Sequence, residues 1–267
     1  MAHGVGKMAN AYHYMNSFDD SLAAEFQGIL SQGFDPRHVP NLKLWLEASN
    51  LASIIKDGSG KVSKWLDKSG LNNHATQADI AKQPTYVSSG INGKPALQSD
   101  GNNRILNFSH PITVGDPFTI FIVLKADIIT PDPTTGSALN AAMSFGDATS
   151  GESVFAIRQT RTAPDSLRST AYNGGAIFNS GNDNAVLSTT LYNGTNVETY
   201  KNGSLIDSDI ADSTGMLLTG GYLFNDDTSG QRSFLGWISD VLIYAGALSD
   251  EQRSQVEQFL IQKQAIL

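Results

Sequence analysis

Between Val186 and Ile210 the chain reads as three extended runs joined by two turn signals, and this constrains the fold more than any other feature. Val186 to Tyr192 turns at Asn193-Gly194, Asn196 to Tyr200 turns at Asn202-Gly203, and Ser204 to Ile210 follows. Asn-Gly supplies the positive φ angles that a two-residue hairpin turn requires, so these strands must run antiparallel. The rhythm extends upstream. Leu42 to Leu46 and Val62 to Leu66 alternate as strands on either side of an Asp57-Gly58-Ser59-Gly60 turn. Further runs at Pro95 to Ser99, Ile105 to Phe108, Phe118 to Lys125, Ala141 to Phe145, Val154 to Gln159 and Leu167 to Tyr172 are bounded by Gly, Pro, Asn or Asp. Evenly spaced strands without βαβ alternation predict an all-β, two-sheet antiparallel sandwich.

The most apolar of these runs, Phe234 to Tyr244, closes the series. Strict alternation would put Phe234, Gly236, Ile238, Asp240, Leu242 and Tyr244 on one face and Leu235, Trp237, Ser239, Val241 and Ile243 on the other. Both faces are largely apolar, which suits a central strand, and Asp240 then marks a hydrogen-bonded point on it. Beyond it, Ser249 and Gln252 spell a capping box, and Val256, Phe259 and Leu260 recur at helical spacing. A short C-terminal helix is expected. Trp45, Trp65 and Trp237 lie in strand patterns with apolar neighbours and are expected in the core.

The first 33 or so residues differ. Ser17 to Ser31 predicts an amphipathic helix carrying Phe18, Leu22 and Phe26 on one face, and Met8, Tyr12, Tyr14 and Met15 precede it without a clear period. Such a segment either packs on its own domain or docks on another subunit, and the second reading is preferred because the tail has apolar groups and little local structure to bury them. Phe34 to Pro40, with two prolines, reads as a linker.

Acidic residues outnumber basic ones by 26 to 18, for a net charge of −8, and no window is strongly basic. Neither nucleic acid nor an anionic membrane is an expected partner. There is no cysteine, which removes disulfides, thiolate metal sites and a cysteine nucleophile together. The start of the chain lacks the apolar run of a signal peptide, which points to synthesis in a host cytoplasm.

In order and spacing, several blocks resemble the laminin-G-like jelly rolls of the concanavalin A-like lectin and glucanase superfamily. They are Leu44-Trp45-Leu46-Glu47-Ala48-Ser49, Trp65-Leu66-Asp67-Lys68-Ser69-Gly70 with Asn73-His74-Ala75, Asn92-Gly93-Lys94-Pro95-Ala96-Leu97, Ser99-Asp100-Gly101, and the closing Gly236 to Tyr244 strand with Ala247-Leu248-Ser249-Asp250. The resemblance implies a two-sheet antiparallel jelly roll over residues 41–267, preceded by an N-terminal helical arm and linker over residues 1–40. It also implies binding of carbohydrate or protein, often with calcium. Within the family the chain looks most like the type found in phage structural proteins. The expectation is therefore a virion-surface protein, a capsid decoration or tail component. It would be anchored to other virion proteins through residues 1–40, would associate as a homo-oligomer and would display a lectin-like domain to cell-surface glycans. A free carbohydrate-binding module or adhesin is the alternative.

Enzymatic activity is not expected. The glucanase branch needs alternating Glu and Asp on one strand, and no two of Glu25, Glu47, Glu152, Glu198, Glu251 and Glu257 lie four or five apart. No Gly-x-Ser-x-Gly elbow occurs. His74 is read as tying its loop to backbone carbonyls. Asp226 and Asp227 are the candidate calcium ligands, being adjacent like charges that a cation would relieve. Tyr172, Asn173, Phe178, Tyr222 and Asn225 combine aromatic and amide groups near turns, the composition of a sugar-binding rim. Asn107, Asn193 and Asn202 match the glycosylation pattern and are read as turns.

Overall fold

The computed structural model describes residues 33–109, 112–127, 140–146, 153–159, 166–172, 174–179, 184–212, 220–226 and 232–266. The chain divides into two units, Met1–Val39 and Pro40–Leu267. The expected arm helix lies outside the described residues, with Met8, Tyr12, Tyr14, Met15, Phe18, Leu22 and Phe26. In the first unit the described part contains one 3-10 turn, Pro36–His38, whose Arg37 amide is capped by the Asp35 side chain.

The second unit is built of short strands. In chain order they are β1 (Leu42–Glu47), β2 (Ile54–Lys56), β3 (Val62–Trp65), β4 (Ala75–Thr76), β5 (Thr85–Ile91), β6 (Lys94–Asp100), β7 (Leu106–Phe108), β8 (Phe118–Ala126) and β9 (Asn140–Gly146). They continue with β10 (Ser153–Gln159), β11 (Ser166–Ala171), β12 (Gly174–Asn179), β13 (Val186–Tyr192), β14 (Asn196–Lys201), β15 (Ser204–Ile210), β16 (Gly221–Leu223) and β17 (Leu235–Ala245). One helix, α1 (Asp250–Gln264), follows. The first sheet runs β15-β14-β13-β8-β17-β6-β5 with β1 also on β17, and the second runs β12-β11-β10-β9-β16-β7-β4-β3-β2. All pairings between these strands are antiparallel, so the predicted two-sheet antiparallel sandwich is the observed fold.

Between the sheets lies one core that includes Leu44, Trp65, Phe118, Ile122, Phe145, Phe155, Tyr172, Phe178, Tyr192, Phe234, Ile238, Val241 and Ile243. Strand β17 is central, as its composition requires. β8 pairs along its whole length on one side, while the other side is shared by β6 at Leu235–Ile238 and β1 at Asp240–Tyr244. The strict alternation read from the sequence is corrected here. A β-bulge falls between Ile238 and Asp240 against β8, and Ser239 is the extra residue. Ile238, Val241 and Ile243 therefore all face the core, and Asp240, Leu242 and Tyr244 turn to the outer face of the first sheet.

That outer face is covered by α1, where Val256 and Leu260 are fully buried and Tyr244 stacks edge-on to Phe121 at 5.9 Å. The capping box forms as predicted, with Ser249 Oγ accepting from the Gln252 amide and Gln252 Oε1 from the Ser249 amide. At the other end of the helix, Asn92 donates from its side chain to the Gln264 and Ala265 carbonyls. Asn92 also sits at φ +49 in the two-residue turn joining β5 to β6, so one residue closes a hairpin and satisfies a helix terminus.

Candidate functional site

The two outer faces differ in how they treat charge. On the covered face of the first sheet, Glu47 and Asp240 are direct cross-strand neighbours. Lys263 bridges them, 2.7 Å from Glu47 and in contact with Asp240, while Gln264 donates to Asp240 at 2.6 Å. Lys68 also contacts Glu47 and lies 3.7 Å over the Trp45 ring. Burial would raise the Glu47 pKa, but the two lysines outweigh it and hold the carboxyl below its usual value. Burial likewise opposes the charge on Lys263, yet Asp240 and Glu47 raise its pKa on balance. Farther along, Arg253 stacks 3.8 Å over Tyr200 and donates to Glu257 at 2.6 Å. These groups fasten α1 to the sheet.

The nearby Asp67 loop is also structural. Asp67 accepts from the Trp45, Ser69 and Asn73 amides at 2.9 to 3.0 Å. His74 does tie the loop, but the expected carbonyl partner is corrected: its Nδ1 accepts from the Asp67 amide at 3.0 Å. Of the three tryptophans only Trp65 lies in the core between the sheets. Trp45 is buried under Lys68, and Trp237 is half-buried with Lys125 5.0 Å from its ring centroid.

The second sheet presents a different outer face. A single ladder crosses all nine of its strands. From β12 inward, Gly175 pairs with Thr170, Thr170 with Ala156 and Ala156 with Ser144. Ser144 pairs with Tyr222 and Tyr222 with Asn107, and the row continues through Thr76 and Lys64 to Ile55. Gly175 has to be glycine, because at φ +132 an added Cβ would come 2.2 Å from the Ser169 carbonyl. Ala156, Ser144 and Thr170 are buried at the floor, Tyr222, Asn107 and Lys64 are half-buried, and Thr76 is exposed. The row forms a trough with short polar side chains at Thr170, Ser144, Asn107 and Thr76 and Tyr222 as its one aromatic ring, and it ends at Lys64 and Ile55.

At one end of β16 the chain is strained: Phe224 sits at φ +66, a left-handed value rare for an aromatic residue. Its amide donates to the Ala142 carbonyl at 2.7 Å, and its carbonyl accepts from the Phe234 amide at 2.9 Å. This kink leads into Asn225 and Asp226, whose side chains are buried beside the trough. Asn225 is buried, donates to Ser233 Oγ at 3.2 Å, and accepts from Ser144 Oγ through its carbonyl at 3.4 Å. Asp226 lies 2.8 Å from Arg232 and 3.7 Å from Arg158.

The sequence-predicted site residues thus separate. Tyr222 and Asn225 belong to the trough. Tyr172 and Phe178 do not form a rim, since both lie in the core; Tyr172 accepts from the Gly115 amide at 2.8 Å and packs on Tyr192 at 4.6 Å. Tyr172 stands at the end of the β11–β12 hairpin, whereas Phe178 and Tyr222 lie within strands β12 and β16. Asn173 and Asp227 lie outside the described residues. Asp226 is faced by two guanidinium groups, which already neutralise a carboxylate that calcium would need, and among the described residues no cluster of His, Asp and Glu could hold a metal ion. Asn107, read as a turn, is a strand residue in the trough. Asn193 and Asn202 are turn residues as expected, although only Asn202-Gly203 forms a two-residue hairpin, and Asn193 accepts from the Thr195 and Asn196 amides in a longer one.

No family model and no curated protein matches the chain. Solved structures do. Trypanosoma rangeli sialidase in complex with sialic acid is similar at 12% identity and a TM-score of 0.59, over 84% of this chain and 33% of that one. The binding domain of Paraclostridial Mosquitocidal Protein 1 is similar at 14% identity and 0.57, over 86% of this chain and 53% of that one. The receptor binding domain of botulinum neurotoxin D matches at 14% identity and 0.57, over 85% and 54%. The chain thus spans from a third to about half of these chains, and at such identities the likeness is one of fold, the β-sandwich that the resemblance implied. The expectation that the chain is not an enzyme is overturned by the first comparison, because sialidases are enzymes, even though the two binding domains point the other way.

Proposed function

We propose that the second unit binds glycan in the trough of its second sheet, with Tyr222 as the stacking ring and Asn107 and Thr76 beside it. One observation carries this reading: a ladder that crosses nine strands sets the short polar side chains of Thr170, Ser144, Asn107 and Thr76 in one row with a single aromatic ring. Sugars offer apolar C–H faces that stack on such a ring and hydroxyls that pair with amides and hydroxyls beside it. A sialidase crystallised with sialic acid and two toxin binding domains among the similar structures support recognition at this fold. The reading covers a stand-alone binding domain and the binding part of a glycan-processing protein.

Two measurements test it. On a glycan array the wild-type chain is expected to retain a subset of sugars. Tyr222→Ala is expected to weaken that binding roughly tenfold, as loss of one stacked ring does, while thermal unfolding shows the domain still folded. An array blank with and without calcium would sink the proposal.

The sequence resemblance supports a setting for this activity. We place the protein on a phage virion surface, as a capsid decoration or tail component, with residues 1–40 docked on other virion proteins and copies associated as a homo-oligomer. Deleting residues 1–33 is then expected to leave a folded domain that no longer joins the particle. Full occupancy by the truncated chain would refute it.

A further inference from the structure

The chain has four Asn-Gly pairs, at Asn92, Asn173, Asn193 and Asn202. A glycine after asparagine leaves the side-chain amide carbon open to the next backbone nitrogen, because no Cβ shields the approach. What such a pair does on reacting depends on how the asparagine is used. Asn193 is an acceptor, taking the Thr195 amide at 3.0 Å and the Asn196 amide at 2.8 Å. Asn92 is a donor: its Nδ2 gives a bond of 2.9 Å to the Gln264 carbonyl and one of 3.0 Å to the Ala265 carbonyl. Those bonds close the end of α1. The Ile261 carbonyl accepts the Ile266 amide at 3.0 Å and the Gln262 carbonyl the Ala265 amide at 3.2 Å, while Asn92 takes the Gln264 and Ala265 carbonyls. Ala265 holds φ +49, a left-handed conformation that disfavours any residue with a Cβ, so this terminus depends on its outside partner. Lys263 and Gln264, which hold Asp240, stand in the same last turn.

We propose that Asn92 is a site of spontaneous deamidation, and that its conversion unlocks the last turn of α1. The Gly93 nitrogen adds to the Asn92 side-chain carbonyl carbon, the C–Nδ2 bond breaks, and Nδ2 leaves as ammonia with the proton given up by Gly93. Water then opens the succinimide to aspartate or isoaspartate. One water is consumed and one ammonia released, so the step needs no oxidant, reductant or further co-reactant. Asn92 and Gly93 are both exposed, which admits that water. The product carboxylate has no proton to donate, and it faces two carbonyl oxygens at the negative end of the helix dipole. At Asn193 the same exchange is mild, since a carboxylate accepts the Thr195 and Asn196 amides as the side-chain carbonyl did. The donor role of Asn92 thus turns a change of amide to acid into the release of a helix end.

The test ages the full chain at mildly alkaline pH, folded and in urea, and follows Asn92 and Asn193 by peptide mapping with mass spectrometry. Brief trypsin treatment of the folded protein reads the helix end, because cutting after the buried Lys263 requires that turn to open. Asn92 is expected to convert in the folded chain, and converted molecules should be cut after Lys263 at least roughly tenfold faster than unconverted ones, with no gain in cutting elsewhere. Asn92→Asp, made directly, should show the same cleavage and melt about 3 to 8 °C lower, whereas Asn193→Asp should shift melting by no more than about 1 °C. An Asn92 still intact in the folded chain when the urea-unfolded chain has fully converted there would overturn the site. Conversion that leaves Lys263 as protected as before would overturn the release.

Discussion

The two outer faces of the sandwich solve the same problem in opposite ways. Under α1 the first sheet carries buried carboxylates and amines, and they satisfy one another: Glu47, Asp240, Lys68 and Lys263 form one connected group. The second sheet carries short polar side chains along a continuous row and sets Asp226 beside it against Arg232 and Arg158. Buried charge tolerates no vacancy, because in a medium of low dielectric an unpaired ion costs several kcal/mol. The polar groups of the first sheet hold a helix, and those of the second lie in one row across its strands.

The comparison can be broken most forcefully at Lys263. Replacing it by alanine leaves Glu47 and Asp240 side by side and buried, and about 3 to 5 kcal/mol of stability should be lost in urea unfolding. A loss below about 1 kcal/mol would mean that water reaches the pair and that the covered face is not covered. Next in size, Ser249→Ala removes one half of the capping box and should cost about 1 kcal/mol by the same measurement. The pH dependence separates the partners. Glu47 has a folded pKa below its usual 4.5, so its contribution is present above that value and is lost as pH falls through the lower folded value. Lys263 is raised from 10.5, so its contribution is present below that value and disappears as pH climbs through the higher one. Burial raises the pKa of Glu257 instead, so its ionisation lowers stability as pH rises and opposes the Glu47 limb. Glu47→Gln should flatten the acid limb of the melting curve and leave the alkaline limb in place; an unchanged acid limb would exclude Glu47 as its source. The smallest effect belongs to the open face. Arg168→Gln should shift stability by no more than about 0.5 kcal/mol, and toward greater stability if its repulsion with Arg158 is felt.

Much of the architecture was legible in the chain. Alternation located β8, β13 and β15, Asn202-Gly203 fixed a hairpin, and Ser249 with Gln252 announced α1, because each of these signals is local. Strands β12 and β16 escaped because they are short or glycine-rich: Gly174, Gly175 and Gly221 carry no side chain to show alternation, and Gly221 makes room for the Phe108 ring. Their loss misplaced Tyr172 and Phe178, whose neighbouring Asn and Gly suggested a rim although the rings point inward. Nor could the sequence show the site itself. Composition singled out Tyr222 and Asn225, but the trough exists only through the register of nine strands, and Arg158 meets Asp226 across a long sequence separation. The pairing of Glu47 with Asp240 was hidden for the same reason.

The bulge at Ser239 has a further consequence. A strand of strict period two can serve only one assignment of inside and outside along its length, so β17 drawn through Ser239 as a regular pleat, without the bulge, would carry one half of its side chains in the wrong phase. With the bulge, Ile238 and Val241 both count as inside, and the strand changes both its parity and its second neighbour, from β6 to β1, at a single residue. Ser239 thus acts as a frame-shift written in backbone geometry. Flattening it would turn Asp240 toward the apolar core and Val241 toward Lys263, whereas deleting Ser239 would leave both facing as they do.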